Sequence, residues 1–371
     1  MELFKLGTRL HKYPDFKSFA EDFNLCETDL VITNEFLYTP FMKATESKAH
    51  FIMQEKYGMG EPSDLMMNAI IKDIQGLTFN RIIAIGGGTV VDIAKILVLK
   101  DITNVVDAFE KTVPLIKSRE LIAIPTTCGT GSEVTNITIA EIKSKNTKMG
   151  LAIEQLTPDH AVLIPEFLKG LPYKFYIYSS IDALIHAIES YVSPKANEYT
   201  RMFSEKAIRT IMDVYLNIIE KGEDYRLERL DDMLMASNYA GIAFGNAGVG
   251  AVHALSYPLG GGYHVAHGEA NYQFFTEVFK FYLKKNPEGK IREVNHILAE
   301  LLHVSEANVY ETLDQVLGKL ISKNPLRSYG MKPEEIQGFT QSVLQTQQRL
   351  LNNNYVALSA AEIEQIYSNL Y

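Results

Sequence analysis

Cysteine is nearly missing from this chain. Cys26 and Cys128 are the only two in 371 residues, too few and too far apart for a disulfide framework or a thiolate metal site. That scarcity fits a reducing compartment. Long apolar runs are missing as well, since none approaches the roughly 18–20 residues needed to span a bilayer. The first residues, Met-Glu-Leu-Phe-Lys-Leu-Gly-Thr-Arg-Leu-His11, lack the sustained apolar core of a signal peptide. Positive charge is in deficit too: 36 Lys and Arg stand against 45 Asp and Glu, a formal net charge of −9. Such a balance argues against nucleic acid or an anionic membrane as partner, because both need clustered cations. Internal repeats and low-complexity tracts are absent. The expectation is a cytoplasmic protein that acts on a small molecule.

The hydrophobic share of 46% is ordinary for a globular protein. The length exceeds the roughly 250–300 residues at which one core stops growing, so two domains are expected. In the first half, Asp29–Thr33, His50–Met53, Arg81–Ile85 and Leu121–Ile124 are continuous apolar runs separated by helical patterns such as Ser63–Gln75 and Val90–Lys100. Runs of that kind predict a parallel sheet covered on both faces, an α/β Rossmann-like domain. Further strands are predicted over Asn136–Ile142, Met149–Ile153 and Ala161–Ile164. Beyond about residue 175 the pattern becomes helix after helix, for example Thr200–Lys221, Leu227–Phe244, Ile291–Leu302 and Glu306–Ser322. The fold expected is a dinucleotide-binding α/β domain over 1–175 followed by an all-helical domain over 176–371.

The G-x-G-x-x-G fingerprint is also absent. In its place Ile85-Gly-Gly-Gly-Thr-Val-Val-Asp-Ile-Ala-Lys95 puts three glycines where a buried strand hands over to a helix. Backbone N–H groups and a helix N-terminus can cradle a pyrophosphate there, although a plain tight turn is equally consistent with a lone triple glycine. A second loop, Ile124-Pro-Thr-Thr-Cys-Gly-Thr-Gly-Ser-Glu-Val-Thr-Asn136, again follows an apolar strand and gathers hydroxyls and glycines. Two such loops at carboxyl ends of parallel strands favour nucleotide binding. Asp92 and Lys95 sit one turn apart on the following helix, where they can orient the glycine loop, form a solvated pair or contact the ligand; Asp92 is given a supporting role only.

Four positions suggest a metal. In Ile181-Asp-Ala-Leu-Ile-His-Ala-Ile-Glu189 the carboxylate and imidazole four residues apart fall on one helix face. His253 and His267 lie in the glycine-rich stretch from Gly250 to Gly268, which holds three of the chain's nine histidines. Pair by pair, a capping box from Ser179 to Asp182 and ordinary core histidines account for these residues. Together, Asp182, His186, His253 and His267 form a set of three imidazoles and one carboxylate, which suits Fe²⁺, Zn²⁺, Co²⁺ or Ni²⁺ without choosing among them. Lewis-acid polarisation of a carbonyl or an alcohol oxygen would follow, and hydride transfer pairs with that chemistry.

At these residues the chain resembles the iron-containing (group III) alcohol dehydrogenases. The matches run in order: Gly86-Gly-Gly-Thr-Val-Val-Asp-Ile-Ala-Lys95, Pro125-Thr-Thr-Cys-Gly-Thr-Gly-Ser-Glu133, Asp182-Ala-Leu-Ile-His-Ala-Ile-Glu189, Asn246-Ala-Gly-Val-Gly-Ala-Val-His253 and His267-Gly-Glu-Ala-Asn271. The resemblance implies the two-domain architecture shared with dehydroquinate synthase, with metal and nicotinamide meeting in the cleft. It implies Fe²⁺ first and Zn²⁺ second on Asp182, His186, His253 and His267. It places the cofactor on Asn34, Gly87, Gly88, Thr89, Thr126, Thr127, Thr130 and Lys148, the lysine near the ribose, and it implies a homodimer. Four further segments, Thr33-Asn-Glu-Phe-Leu-Tyr38, Gln54-Glu-Lys-Tyr-Gly-Met-Gly-Glu-Pro-Ser-Asp64, Lys169-Gly-Leu-Pro-Tyr-Lys-Phe175 and His253-Ala-Leu-Ser-Tyr-Pro258, narrow the likeness. They point to a subgroup that interconverts 4-hydroxybutyrate and succinate semialdehyde with NAD. The alternatives are another small alcohol, such as 1,3-propanediol or butanol, a dehydroquinate synthase-like lyase, and a non-enzymatic nucleotide-binding regulator.

Departures from the family pattern mark open points. Many relatives carry a relay histidine four positions after the first in the His-Ala segment, where this chain has Tyr257. Tyr257 can relay a proton, bind the substrate carboxylate or simply wall the pocket; His264 is the other relay candidate. Asn353 and Asn354 join these two as candidates for a carboxylate clamp. Many NAD-preferring relatives end the second strand with an acid that would repel the 2′-phosphate of NADP, whereas here Asn34 precedes Glu35.

Overall fold

A computed structural model describes residues 2–145 and 147–371 and divides the chain into two compact units. Leu6–Leu171 forms one, and Pro172–Tyr371, with the N-terminal stretch that ends at Lys5, forms the other.

The first unit contains strands β1 (Arg9–Lys12), β2 (Asp29–Thr33), β3 (His50–Met53), β4 (Arg81–Gly86), β5 (Glu120–Pro125), β6 (Ile137–Ile142), β7 (Thr147–Ala152) and β8 (His160–Leu163). Its helices are α1 (Phe16–Asp22), the single turn α2 (Glu35–Leu37), α3 (Asp64–Asp73), α4 (Gly88–Leu97) and α5 (Val105–Phe109). Six strands pair in the order β1-β8-β5-β4-β2-β3, all parallel. The apolar runs explain why both faces are covered. Leu30, Ile32, Ile82, Ala84, Leu121 and Ala123 point into one core with α3, α4 and α5. Val31, Ile83, Ile85, Ile122 and Ile124 point into the other with Phe16 and Phe19 of α1. Each such buried Val, Leu or Ile contributes about 1.5–3 kcal/mol, which makes β4 and β5 the anchors of the sheet. Their register, Ile85 opposite Ile124 and Gly86 opposite Pro125, brings the two polar loops out side by side.

Two features differ from the sequence expectation. Arg9–Lys12 adds an edge strand whose side chains are polar or exposed, so no apolar run announces it. Strands do form at Ile137–Ile142 and Thr147–Ala152, but β6 and β7 pair with each other, antiparallel, in a two-stranded sheet separate from the main one.

The second unit is built of helices, α6 (Tyr173–Val192), α7 (Glu198–Lys221), α8 (Leu230–Ala247), α9 (Ala251–Tyr263), α10 (His267–Lys285), α11 (Lys290–Leu302), α12 (Val309–Leu320), α13 (Glu335–Thr346), α14 (Gln348–Leu351) and α15 (Ala360–Leu370), joined by turns and short 3₁₀ segments. Helix α6 is its axis, packed against α7, α8, α10 and α11. Every residue of α6 from Ser180 to Val192 is buried. Polar groups in that stretch therefore need partners within the protein. Asp182 lies mid-helix, nine residues into α6, which removes the capping-box reading. Despite Pro258 and three consecutive glycines, Gly260–Gly262, α9 stays helical because packing outweighs propensity. Among the described residues no helix is long and apolar enough to cross a membrane.

Candidate metal and dinucleotide sites

Helix geometry brings the first two candidate ligands together. Asp182 and His186 stand one turn apart on α6, with Oδ2 4.0 Å from Nδ1. His253 sits in the first turn of α9 and His267 opens α10. One ligand atom from each of the four lies within 4.8 Å of the others. His253 Nε2 is 3.0 Å from His186 Nε2 and 3.7 Å from Asp182 Oδ1, and His267 Nε2 is 3.9 Å from the same oxygen. Donors around a tetrahedral metal with bonds of about 2.1 Å stand about 3.4 Å apart, so this set fits a divalent ion with little movement. The site is closed on one side and open on the other: Asp182, His186 and His253 are buried, while the His267 side chain is 35% exposed.

Neighbouring groups fix these ligands. Glu189 is buried; its Oε2 accepts from His253 Nδ1 at 2.6 Å and its Oε1 accepts from the Val252 N–H at 2.8 Å. With its proton held on Nδ1, His253 turns the Nε2 lone pair toward Asp182 and His186. Asn271 Nδ2 donates to Asp182 Oδ1 at 2.7 Å and lies 3.1 Å from His267 Nε2, and the Ser256 hydroxyl holds the Asn271 oxygen. Burial pushes the Asp182 carboxyl up, but His186, His267, His253 and the Asn271 hydrogen bond overcome it and hold the group below its ordinary value. Gly268 lets α10 start this close. A Cβ there would stand 2.4 Å from the Tyr178 carbonyl oxygen on α6.

Glu189 and Asn271 were not singled out from sequence, yet a signal exists. Asp182, His186 and Glu189 follow the i, i+4, i+7 stripe of one helix face, and Asn271 is four residues beyond His267. Tyr257 is half-buried with its ring 6.4 Å from that of His267, beside the cluster. His264 is exposed, at the left-handed end of α9 with φ 55°. Asn353 and Asn354 are occupied as scaffolding. Asn353 donates to the Ala247 and Val249 carbonyls, and Asn354 accepts from the Ala251 N–H and donates to the Val356 carbonyl.

In the first unit the glycine and threonine loops converge. Gly86 leaves no room for a Cβ, which would meet Val90 Cγ2 at 2.5 Å, and a Cβ at Gly88 would press on Thr130 Cγ2 at 3.0 Å. Thr127 lies against Gly87, and the Thr126 N–H bonds the Gly86 carbonyl at 3.1 Å. No side chain caps α4, which leaves its N-terminal end open to an anion such as a pyrophosphate. Thr89, at the second position of α4, uses its hydroxyl on the Gly60 carbonyl at 3.0 Å. Lys95 pins the threonine loop from below. Its ammonium is fully buried and donates to Ser132 Oγ, Thr135 Oγ1 and the Ile137 carbonyl, while Asp92 accepts from Ser132 Oγ at 2.6 Å and the Ile139 N–H at 2.9 Å. Lys148, on β7, is ion-paired with Glu61 at 2.5 Å. Asn34 closes β2, one strand away from the glycine loop, with its amide held by Glu55 and Gln54.

Residues 13–165 match the family described as iron-containing alcohol dehydrogenase, and residues 176–371 match the C-terminal part of the Fe-containing alcohol dehydrogenase family. The chain is 57% identical over 371 residues, all of both chains, to 4-hydroxybutyrate dehydrogenase of Clostridium kluyveri. It is 33% identical to long-chain-alcohol dehydrogenase 1 of Geobacillus thermodenitrificans over 78% of this chain and 74% of that one. Its fold is that of sulfoacetaldehyde reductase from Bifidobacterium kashiwanohense in complex with NAD⁺, with a TM-score of 0.84 at 19% identity over 99% and 98% of the two chains. NADH-dependent butanol dehydrogenase A from Thermotoga maritima gives 0.81 at 18% over 100% and 98%.

Proposed function

The chain belongs to the iron-containing alcohol dehydrogenase family, and from that premise we propose the reaction 4-hydroxybutyrate + NAD⁺ ⇌ succinate semialdehyde + NADH + H⁺. The observation that carries the reading is the convergence of Asp182, His186, His253 and His267 in a chain that aligns end to end with a 4-hydroxybutyrate dehydrogenase.

Asp182, His186, His253 and His267 hold a divalent metal, Fe²⁺ first, and Gly87, Gly88, Thr89, Thr126, Thr127 and Thr130 hold NAD, with Asn34 and Lys148 toward its ribose. When bound, the metal supplies Lewis acidity toward the substrate oxygen and the nicotinamide supplies the hydride acceptor. A donor set with a single carboxylate leaves net positive charge to oppose the negative charge that develops on that oxygen. Glu189 keeps His253 in the ligating tautomer, and Asn271 orients Asp182. Tyr257, beside His267, relays the alcohol proton: in oxidation its hydroxyl oxygen accepts that proton as its own proton passes to solvent, and in reduction the transfer runs in reverse. The reading includes a cytoplasmic enzyme, in keeping with two distant cysteines, and a homodimer, as the family resemblance implies.

The substrate is tested by comparing turnover of 4-hydroxybutyrate with that of 1-butanol, which has the same chain length but no carboxylate. The reading expects kcat/KM to favour the hydroxy acid strongly. Equal values would shift the enzyme to simple alcohols, and turnover of neither with no NADH formed would point away from a dehydrogenase.

A further inference from the structure

In nucleotide-binding α/β sheets, the strand beside the phosphate loop ends near the adenosine ribose, where an acidic side chain accepts from a ribose hydroxyl. In this chain β4 is flanked by β5, whose end carries the threonine loop, and by β2, paired with Ile32 opposite Ala84; β2 is followed by Asn34, which carries no charge. A carboxylate comes from the next strand instead. β3 runs alongside β2 with Thr33 opposite Met53, so the residues after both strands emerge together. Glu55 follows β3 by two positions and turns back onto the end of β2. Its Oε2 accepts from Asn34 Nδ2 at 2.9 Å and its Oε1 accepts from the Glu35 N–H at 2.6 Å.

Asn34 is 8% exposed and works as a bracket. Its amide also reaches Gln54 Oε1 at 3.3 Å, and Gln54 is tied to the Gly58 carbonyl at 2.9 Å. A carboxylate has about four lone-pair directions, and Glu55 commits two to these N–H groups, leaving capacity for a ribose hydroxyl. The Glu35 carboxylate, exposed, accepts from Thr39 Oγ1 at 2.8 Å and adds a second negative charge. The lysine expected near the ribose, Lys148, is paired with Glu61 and brings no uncompensated cation.

We propose that Glu55 selects the cofactor. Its carboxylate, fixed at the end of β2 by Asn34 and the Glu35 N–H, accepts from the free 2′-hydroxyl of NAD and repels the 2′-phosphate of NADP. Asn34 is a positioning residue for it. The inference rests on the reading that this chain binds a nicotinamide dinucleotide through its glycine and threonine loops.

The test is equilibrium titration of the protein with NADH and NADPH, followed by nicotinamide fluorescence, which needs no turnover. The wild type binds NADH more tightly than NADPH. In Glu55→Gln the NADPH affinity rises relative to NADH on the order of tenfold or more, because a fixed like charge is removed. Glu55→Asp keeps the wild-type preference, and Glu35→Gln moves the ratio less than Glu55→Gln. In the wild type itself the preference narrows as salt is raised, since repulsion at a partly exposed site is screened. An unchanged ratio in folded Glu55→Gln overturns the proposal, as does a larger effect from Glu35→Gln. Should Glu55→Gln not fold, a wild-type preference indifferent to salt overturns it equally. Tight but equal binding of both cofactors defeats the selection alone, whereas binding of neither defeats the dinucleotide reading beneath it.

Discussion

Replacing Glu189 by Gln keeps the side chain's shape and removes its charge, so it isolates what the carboxylate does for the metal cluster. Glu189 accepts two N–H groups in a buried setting, from His253 Nδ1 at 2.6 Å and Val252 at 2.8 Å. A glutamine offers one acceptor oxygen and one amide donor, so one of those N–H groups must face a donor. Losing a charge-assisted hydrogen bond of this kind costs about 1.5–3 kcal/mol. At 1.4 kcal/mol per factor of ten, metal affinity should fall by about 10- to 100-fold. Glu189→Ala leaves both N–H groups without acceptors and should in addition lower folding stability by about 1–3 kcal/mol. The assay is Co²⁺ titration of the metal-free protein against a chromophoric chelator, with the ligand-field spectrum reporting geometry and NADH binding as a control. Wild-type affinity and spectrum in Glu189→Gln would refute the claim that this carboxylate orients His253.

Two other residues carry sharp expectations. Burial pulls the Lys95 ammonium down to about 8 against the opposing pull of Asp92 and Glu133, from an ordinary value of 10.5. Between those values the unfolded chain holds a proton that the folded chain releases, so stability rises with pH through the window and is lost as pH falls through about 8. The stability of wild type minus that of Lys95→Met, from denaturant melts, should climb by about 3 kcal/mol from pH 8 to 10.5, and a flat difference would remove the buried cation from the account. For Tyr257→Phe, turnover should fall by roughly 10²-fold with a changed pH profile if the phenol moves the proton. A lower rate with an unaltered profile would make it a pocket wall.

The strands of the main sheet were legible where burial is two-sided: the middles of β2 and β4, Leu30 to Ile32 and Ile82 to Ile85, are continuously apolar because helices cover both faces. Arg9–Lys12 was not, since an edge strand joined by backbone alone leaves no apolar trace. The separate pairing of β6 with β7 was hidden for a related reason: strand character can be read locally, but a strand's partner cannot. Helix α9 ran against its own composition, with Pro258 and Gly260–Gly262 inside it, because neighbouring helices decide the matter. In the cluster, spacing alone placed Asp182 and His186 on one face. That His267 meets them depends on Gly268, whose missing Cβ admits the start of α10 against α6, and His253 is held to α6 by Glu189. Glu55 lies at the far end of this scale, because its contact with Asn34 follows from strand register that no local pattern reveals.

The central claim is that this chain moves a hydride between 4-hydroxybutyrate and NAD with the help of a metal held by Asp182, His186, His253 and His267. It is tested most directly by following absorbance at the NADH band when 4-hydroxybutyrate and NAD⁺ are added to protein stripped of metal, then reconstituted anaerobically with Fe²⁺, alongside Asp182→Ala treated identically. The account predicts no NADH from the stripped protein, turnover restored in the wild type by metal, and none in Asp182→Ala although that variant still binds NADH. Undiminished NADH formation by metal-free protein, or by Asp182→Ala, would contradict it.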